Sequence, residues 1–354
     1  MQRHSAEFLS ALTRSIFTAC GVPPEEAAIV AEQLVASNLM GLDSHGVVRI
    51  PQYVGWMRQG TIRPGAPVSI VTEDAGTALV SCGFNFGQVG GLRAMETAIA
   101  KAKRNRIACV VATECCHVGR LGYFTQMAAE QGMFALACVN SPKPGHSVVP
   151  FGGLQGRIAP NPLSYAVPGA THPVVADMAL STTAQGKVVV YRNRGQQLPE
   201  GWIIDADGRP STDPDELFKE PRGWILPIGG NVGYKGFALL LLAEILGGAL
   251  AGHAITDDIP DGTNGVCFIV MDISAFLPVE RFRGLMGEMA AYMKSAPPAP
   301  GFDEVVLPGE LDWRILAERE AKGIPIGPAT WQQICKVAKE VGVETADPCQ
   351  TVAT

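Results

Sequence analysis

Residues 43–53 read DSHGVVRIPQY and place an imidazole, a guanidinium and a phenol within one short stretch. A helix starting near Val47 puts Arg49 and Tyr53 four residues apart on one face, with His45 at its entrance. Asp43 or Ser44 can cap such a helix, and Pro51 is tolerated in its first turn, where amides lack intrahelical partners anyway. Oxidising a hydroxyl next to a carboxylate requires a cation to hold the carboxylate. It also requires a group titrating near neutrality to take the hydroxyl proton as hydride leaves. Arg49 and His45 fit those two jobs. By residue type alone the plainer reading is favoured: Ser44 a cap, His45 a surface loop histidine, Arg49 a solvated charge.

The second candidate is CHVGRLGYF (116–124), which follows an apolar run and leads into a helical pattern. His117 then stands at the carboxyl end of a strand, where α/β proteins tend to place ligands, although a histidine there is often only a loop residue. Cys115, Cys116 and His117 do not make a zinc site, because adjacent cysteines cannot easily share one tetrahedral ion and no second pair stands nearby. GFNFGQVGG (83–91) has glycines but not the G-x-G-x-x-G spacing, so a standard Rossmann turn is not supported. Walker, G-x-S-x-G and H-E-x-x-H motifs are absent as well.

The elements that must position these groups are legible as a pattern. Apolar residues at helical spacing over 5–20 and 24–40, split by Gly21 and Pro23-Pro24, predict a helical hairpin. From about residue 67, strands at 77–82, 107–113 and 133–139 alternate with helices near 88–104 and 121–131, which argues for an α/β class. The Pro- and Gly-rich passage 140–175 reads as irregular, and 199–232 as turn-rich. A helix near 182–194, an apolar helix at 234–250, a strand at 265–272, a helix at 278–294 and a helical tail from 310 complete the order. Two domains are expected: a helix-rich one from residues 1–120 and 300–354, and a central one from 121–299.

Bulk properties narrow the function. Of 354 residues 47% are hydrophobic and 18% charged, as in folded globular enzymes. The net charge of -6, with Lys and Arg scattered, argues against nucleic acid as a partner. Nine cysteines, an odd number without scaffold spacing, are expected to be reduced. The opening MQRHSAEFLSALTRSIF lacks the apolar core of a secretory signal, and FALLLLAEILGGALAG (237–252) is short for a membrane span and contains Glu244. A cytoplasmic protein without a membrane segment is the expectation.

Several stretches together resemble one family. They are DSHGVVRIPQY, CHVGRLGYF, VVPFGG (148–153), NPLSYAVP (161–168), DMALSTTAQGK (177–187), GYKGFAL (233–239) and LPGE (307–310). In this order, over nearly the whole chain, they resemble the malate/L-lactate dehydrogenase-like oxidoreductases, which include ureidoglycolate, sulfolactate and malate dehydrogenases, diketogulonate reductase and Δ1-piperideine-2-carboxylate reductases. The resemblance implies a non-Rossmann α/β fold whose central domain binds NAD or NADP, with NAD favoured, and a homodimer. It implies that His45 is the proton donor or acceptor, Ser44 its orienting neighbour and Arg49 the carboxylate clamp, with Gln185 and Gly186 on the substrate side; Tyr53, Ser141 and Lys143 are this chain's further candidates for holding the substrate. His117 matches a histidine that is catalytic in some members and a cofactor contact in others. Asp177, Met178, Ala179, Lys187, Lys235, Gly236, Pro308, Gly309 and Glu310 match cofactor-binding positions. Without the family, Lys235 reads as a solvated charge, yet a lysine at a helix N-terminus also suits a pyrophosphate.

The chain departs from the family where Ala159 replaces a glycine and Pro160 a threonine, and where 141–150 is lengthened and adds Lys143 and His146. Lys187 stands where imino-acid reductases of the group carry an aspartate, which favours a 2-hydroxy or 2-keto acid. Reduction of a cyclic imino acid or a diketo sugar acid is the alternative.

Overall fold

In the computed structural model, residues 1–229 and 232–345 are described. Ser5 accepts a hydrogen bond from the Phe8 amide and starts α1 (Ala6–Ala19), and Pro24 opens α2 (Pro24–Leu39), so the predicted hairpin is present. The next helix, α3 (Ile50–Arg58), begins three residues later than its pattern suggests, after two 3-10 turns at Asp43–His45 and Val47–Arg49. Neither Asp43 nor Ser44 caps it, because both side chains are engaged elsewhere. At the other end of the chain lie α9 (Glu310–Lys322) and α10 (Pro328–Glu340). The termini meet as a two-stranded ribbon of β1 (Gln2–His4) and β12 (Ile324–Ile326). Leu9, Phe17, Val30, Leu34, Tyr53, Ile324 and Ile334 are buried in one cluster, so both chain ends share a core.

The sheet has seven strands. These are β2 (Ser69–Glu73), β3 (Thr77–Ser81), β4 (Ile107–Cys116), β5 (Met133–Val139), β6 (Leu163–Val167), β7 (Val174–Met178) and β11 (Thr263–Asp272). Their order is β2-β3-β4-β11-β5-β6-β7, with only β3 and β4 parallel. Being central, β11 is buried on both faces, which suits its continuous apolar run. α4 (Gly87–Asn105) and α5 (Leu121–Glu130) cover one face and α7 (Gly233–Gly247) the other.

Two expectations need correction. Residues 140–175 are not wholly irregular, because β6 and part of β7 lie within them; ladder pairing of β6 with β5 and of β7 with β6 makes them strands where the local Pro-rich pattern gives no sign. Residue 120 is not a boundary within the sheet, because strands from 69–116 pair with those after it through β11. The turn-rich segment is a small lobe where β8 (Ile203–Ile204), β9 (Pro210–Ser211) and β10 (Trp224–Ile225) pack beside α6 (Gln185–Asn193). α8 (Val279–Lys294) follows β11. The eight described cysteines are free thiols, and Cys349 lies outside the described residues.

Candidate active site

The turn that carries His45 is held from two sides. Asn38, at the end of α2, donates to Asp43 (2.6 Å) and accepts the Val47 amide (2.8 Å). A Cβ on Gly46 would lie 2.2 Å from the Asn38 oxygen, so only glycine lets the turn close onto this amide. Arg319 of α9 grips both carboxylate oxygens of Asp43, at 2.6 and 3.0 Å, so the C-terminal helix fixes the loop.

His117 arrives from the sheet side, one residue past β4, with its amide donating to the Gly262 carbonyl. Its Nδ1 lies 2.8 Å from the Tyr53 hydroxyl, which in turn accepts Gln88 Nε2 at 2.8 Å. With Gln88 donating, the phenol proton points to Nδ1, and neutral His117 presents Nε2–H. Gln88 is anchored where its carbonyl accepts Gln33 Nε2 at 3.1 Å. Burial pushes the Tyr53 phenol up to about 12, so it stays protonated as this bond requires.

His45 and His117 lie ring over ring, 5.7 Å between centroids and 11° from parallel. Ser44 Oγ is 3.0 Å from His45 Nδ1, so it fixes the ring and leaves Nε2 outside that bond. Burial, with Arg49 and then Arg120 adding repulsion, lowers the His45 pKa to about 4. Burial likewise pushes His117 well below the usual histidine range. Both rings are therefore neutral at physiological pH. Arg49 donates Nε to the Ser44 carbonyl and Nη1 to Gln52, each at 2.6 Å, which orients its fork beside the imidazoles. Sequence reasoning missed Gln88 and Arg120. Arg120 is inside the CHVGRLGYF stretch, three residues after His117, and that spacing was the available signal.

The remaining predicted positions divide into groups. Ser141 Oγ is 3.3 Å from Asn264 Nδ2, and Asn264 also accepts the Val118 amide, which links the 140s loop to the histidine strand. Lys143 reaches Asp258 at 3.9 Å and remains exposed. Gln185, Gly186 and Lys187 are exposed at the start of α6, with Lys187 over the Trp202 ring at 4.9 Å, and they make no hydrogen bond to the histidine pair. Asp177 accepts the Gly122 amide at 2.7 Å and so caps α5, whereas Met178 is exposed and Ala179 partly so. Gly309 lies against Val175 in β7, which brings Pro308 to Glu310 beside Asp177, and Glu310 pairs with Lys294 at 2.6 Å. Lys235 and Gly236 open α7 on the opposite face of the sheet from α5, and they approach this group only where Leu180 accepts the Ile228 amide. No cluster of metal-ligating side chains is present among the described residues.

Two neutral imidazoles and a guanidinium therefore meet at one place, and the chain is an oxidoreductase acting on the CH–OH group of a hydroxy acid, as the comparisons with known proteins show. The chain belongs to the malate/L-lactate dehydrogenase family, whose pattern matches residues 4–335. It is 37% identical to the malate dehydrogenase of Pyrococcus horikoshii over 93% of this chain and 92% of that protein. The solved sulfolactate dehydrogenase of Methanocaldococcus jannaschii superposes with a TM-score of 0.89 at 32% identity, covering 97% of this chain and 98% of the other. The Δ1-piperideine-2-carboxylate reductase of Pseudomonas syringae pvar. tomato gives 0.82 at 28% identity, covering 96% and 100%.

Proposed function

We propose that this chain interconverts a small 2-hydroxy acid and its 2-keto acid with NAD or NADP, NAD being favoured. The observation that carries this reading is the pair of stacked, neutral imidazoles beside Arg49. A bound nicotinamide would supply the two-electron hydride exchange. The residues suited to hold it are the backbone of Asp177 to Ala179, Lys235 at the α7 N-terminus and Pro308 to Glu310. A cavity of about 230 Å³ lined by Phe151, Pro227 and Gly233 opens at that N-terminus, where the first-turn amides of a helix suit a phosphate.

The chain's own residues divide the remaining work. Arg49 binds the carboxylate next to the reacting carbon and orients it. His45 Nε2 takes the hydroxyl proton during oxidation and returns it during reduction, with Ser44 keeping the ring in place. His117 Nε2–H donates a hydrogen bond to the same oxygen, stabilising the charge that develops there. Tyr53 and Gln88 preserve that donor tautomer.

The test is a panel of 2-keto acids and cyclic imines followed by oxidation of NADH and NADPH. Turnover of keto acids and not of imines is the expected result. His45→Ala should lower turnover by about two to four orders of magnitude while cofactor still binds. Arg49→Lys should act mainly on the Michaelis constant, since charge survives and the fork does not. If His117→Ala abolishes turnover and His45→Ala leaves it nearly intact, the two histidines exchange roles.

A further inference from the structure

Among the described residues, Arg120 is the one arginine buried as a whole, with 5% of its surface exposed. Its Nε has no hydrogen-bond partner, and its terminal nitrogens reach only Gln126 Oε1, at 3.4 and 3.5 Å. It forms no ion pair with any described residue. Asp177, the carboxylate whose charge it feels most, accepts the Gly122 amide, and burial raises the pKa of both Asp177 and Asp312. A guanidinium taken out of water without an anion is unfavourable, so a site that keeps one is built for an anion that arrives later. Arg120 stands three residues after His117, and its charge reaches His45 together with that of Arg49. The charges of two guanidiniums from separate elements therefore act on one imidazole, and a monocarboxylate substrate would satisfy only one of them.

We propose that Arg120 is a specificity-determining residue that receives a second anionic group of the substrate, so that the site prefers short dianionic 2-hydroxy and 2-keto acids to monoanionic ones. The proposal rests on the hydroxy-acid reading above and adds the charge of the substrate to it. A carboxylate or a sulfonate, each a planar or pyramidal oxyanion, can accept the free Nε–H and an Nη–H together.

The experiment compares kcat/KM of the full chain for oxaloacetate and for 2-oxobutanoate, which have the same carbon count and differ in the second charge. Arg120→Gln and Arg120→Lys are measured beside the unmodified protein, with the Michaelis constant for cofactor in each case. The unmodified protein should favour oxaloacetate by about 100-fold or more, as expected when a buried polar partner is left unpaired by the wrong substrate. Arg120→Gln should remove most of that preference by weakening oxaloacetate alone, and Arg120→Lys should retain part of it. Should Arg120→Gln fail to fold, Arg120→Lys and inhibition of the unmodified protein by succinate against butanoate decide, with succinate the stronger competitor. Preference for 2-oxobutanoate, equal loss on both substrates, or a raised Michaelis constant for cofactor would overturn the proposal and leave the hydroxy-acid reading standing. No turnover of either keto acid would overturn both.

Discussion

His45 is held neutral by its surroundings, and that has a consequence for stability as well as for proton transfer. Its folded pKa of about 4 lies below the 6.5 of an unconstrained histidine. The unfolded chain therefore binds the proton more readily than the folded one. The contribution is present in full above pH 6.5 and is lost as pH falls from 6.5 toward 4, amounting to about 3 kcal/mol in all. Asp177 and Asp312 shift in the opposite sense, since their raised pKa values favour the protonated fold in acid. A difference measurement isolates the histidine. The gap in unfolding free energy between the unmodified chain and His45→Asn, taken from urea melts at pH 7 and pH 4.5, should narrow or reverse in acid. A gap independent of pH would show that His45 titrates normally in the fold.

At the scale of elements, what the sequence revealed depended on whether the cause was local. The helical hairpin, β4, β5, α4 and α7 are legible because apolar period and Gly or Pro punctuation are local properties. β6 and most of β7 were not, because β6 pairs with β5 across a Pro-rich stretch and β7 pairs with β6. The grip of Arg319 on Asp43 spans 276 positions, and nothing near either residue announces it. By type and spacing alone the candidate histidines and Arg49 read as ordinary loop and surface residues, and the family resemblance is what singled them out, whereas Gln88 matters only because the first turn of α4 abuts Tyr53. That approach depends on Gly87, whose Cβ would lie 2.1 Å from the Cys116 carbonyl oxygen and 2.4 Å from the His117 backbone. Gly87→Ala should therefore push α4 away from the end of β4. The expected cost is about 1–3 kcal/mol of stability, as for overpacked cores, with a loss of turnover larger than stability alone explains. Urea midpoints beside kcat decide this; full turnover at unchanged stability would show that the two backbones separate freely.

At the scale of the whole molecule, α7 is apolar around its circumference although only one side of it faces the sheet. Leu240, Ala243 and Gly247 are buried, and Glu244 fixes the helix rotation by accepting from Asn140 and Asn161 at 3.2 and 2.7 Å. The helix therefore cannot turn to hide its outer residues. Leu239, Leu241, Leu242 and Ile245 remain 37–46% exposed, a contiguous apolar patch of the kind that marks an interface. The segment 233–251 is long and apolar enough to cross a membrane by length and composition, but its inner side is committed to the sheet core. A second copy of the chain is the occupant proposed for the outer side, because a two-fold contact lets one helix face satisfy itself. The protein should sediment at twice 37.4 kDa at micromolar concentration, and the paired change Leu241→Glu with Ile245→Lys should yield the single-chain species. An unmodified chain that sediments at 37.4 kDa would leave this patch without the proposed partner. Since His45, His117 and Arg49 all come from one chain, the single-chain variant should keep its histidine pair, and any activity it loses would measure how far the partner steadies α7.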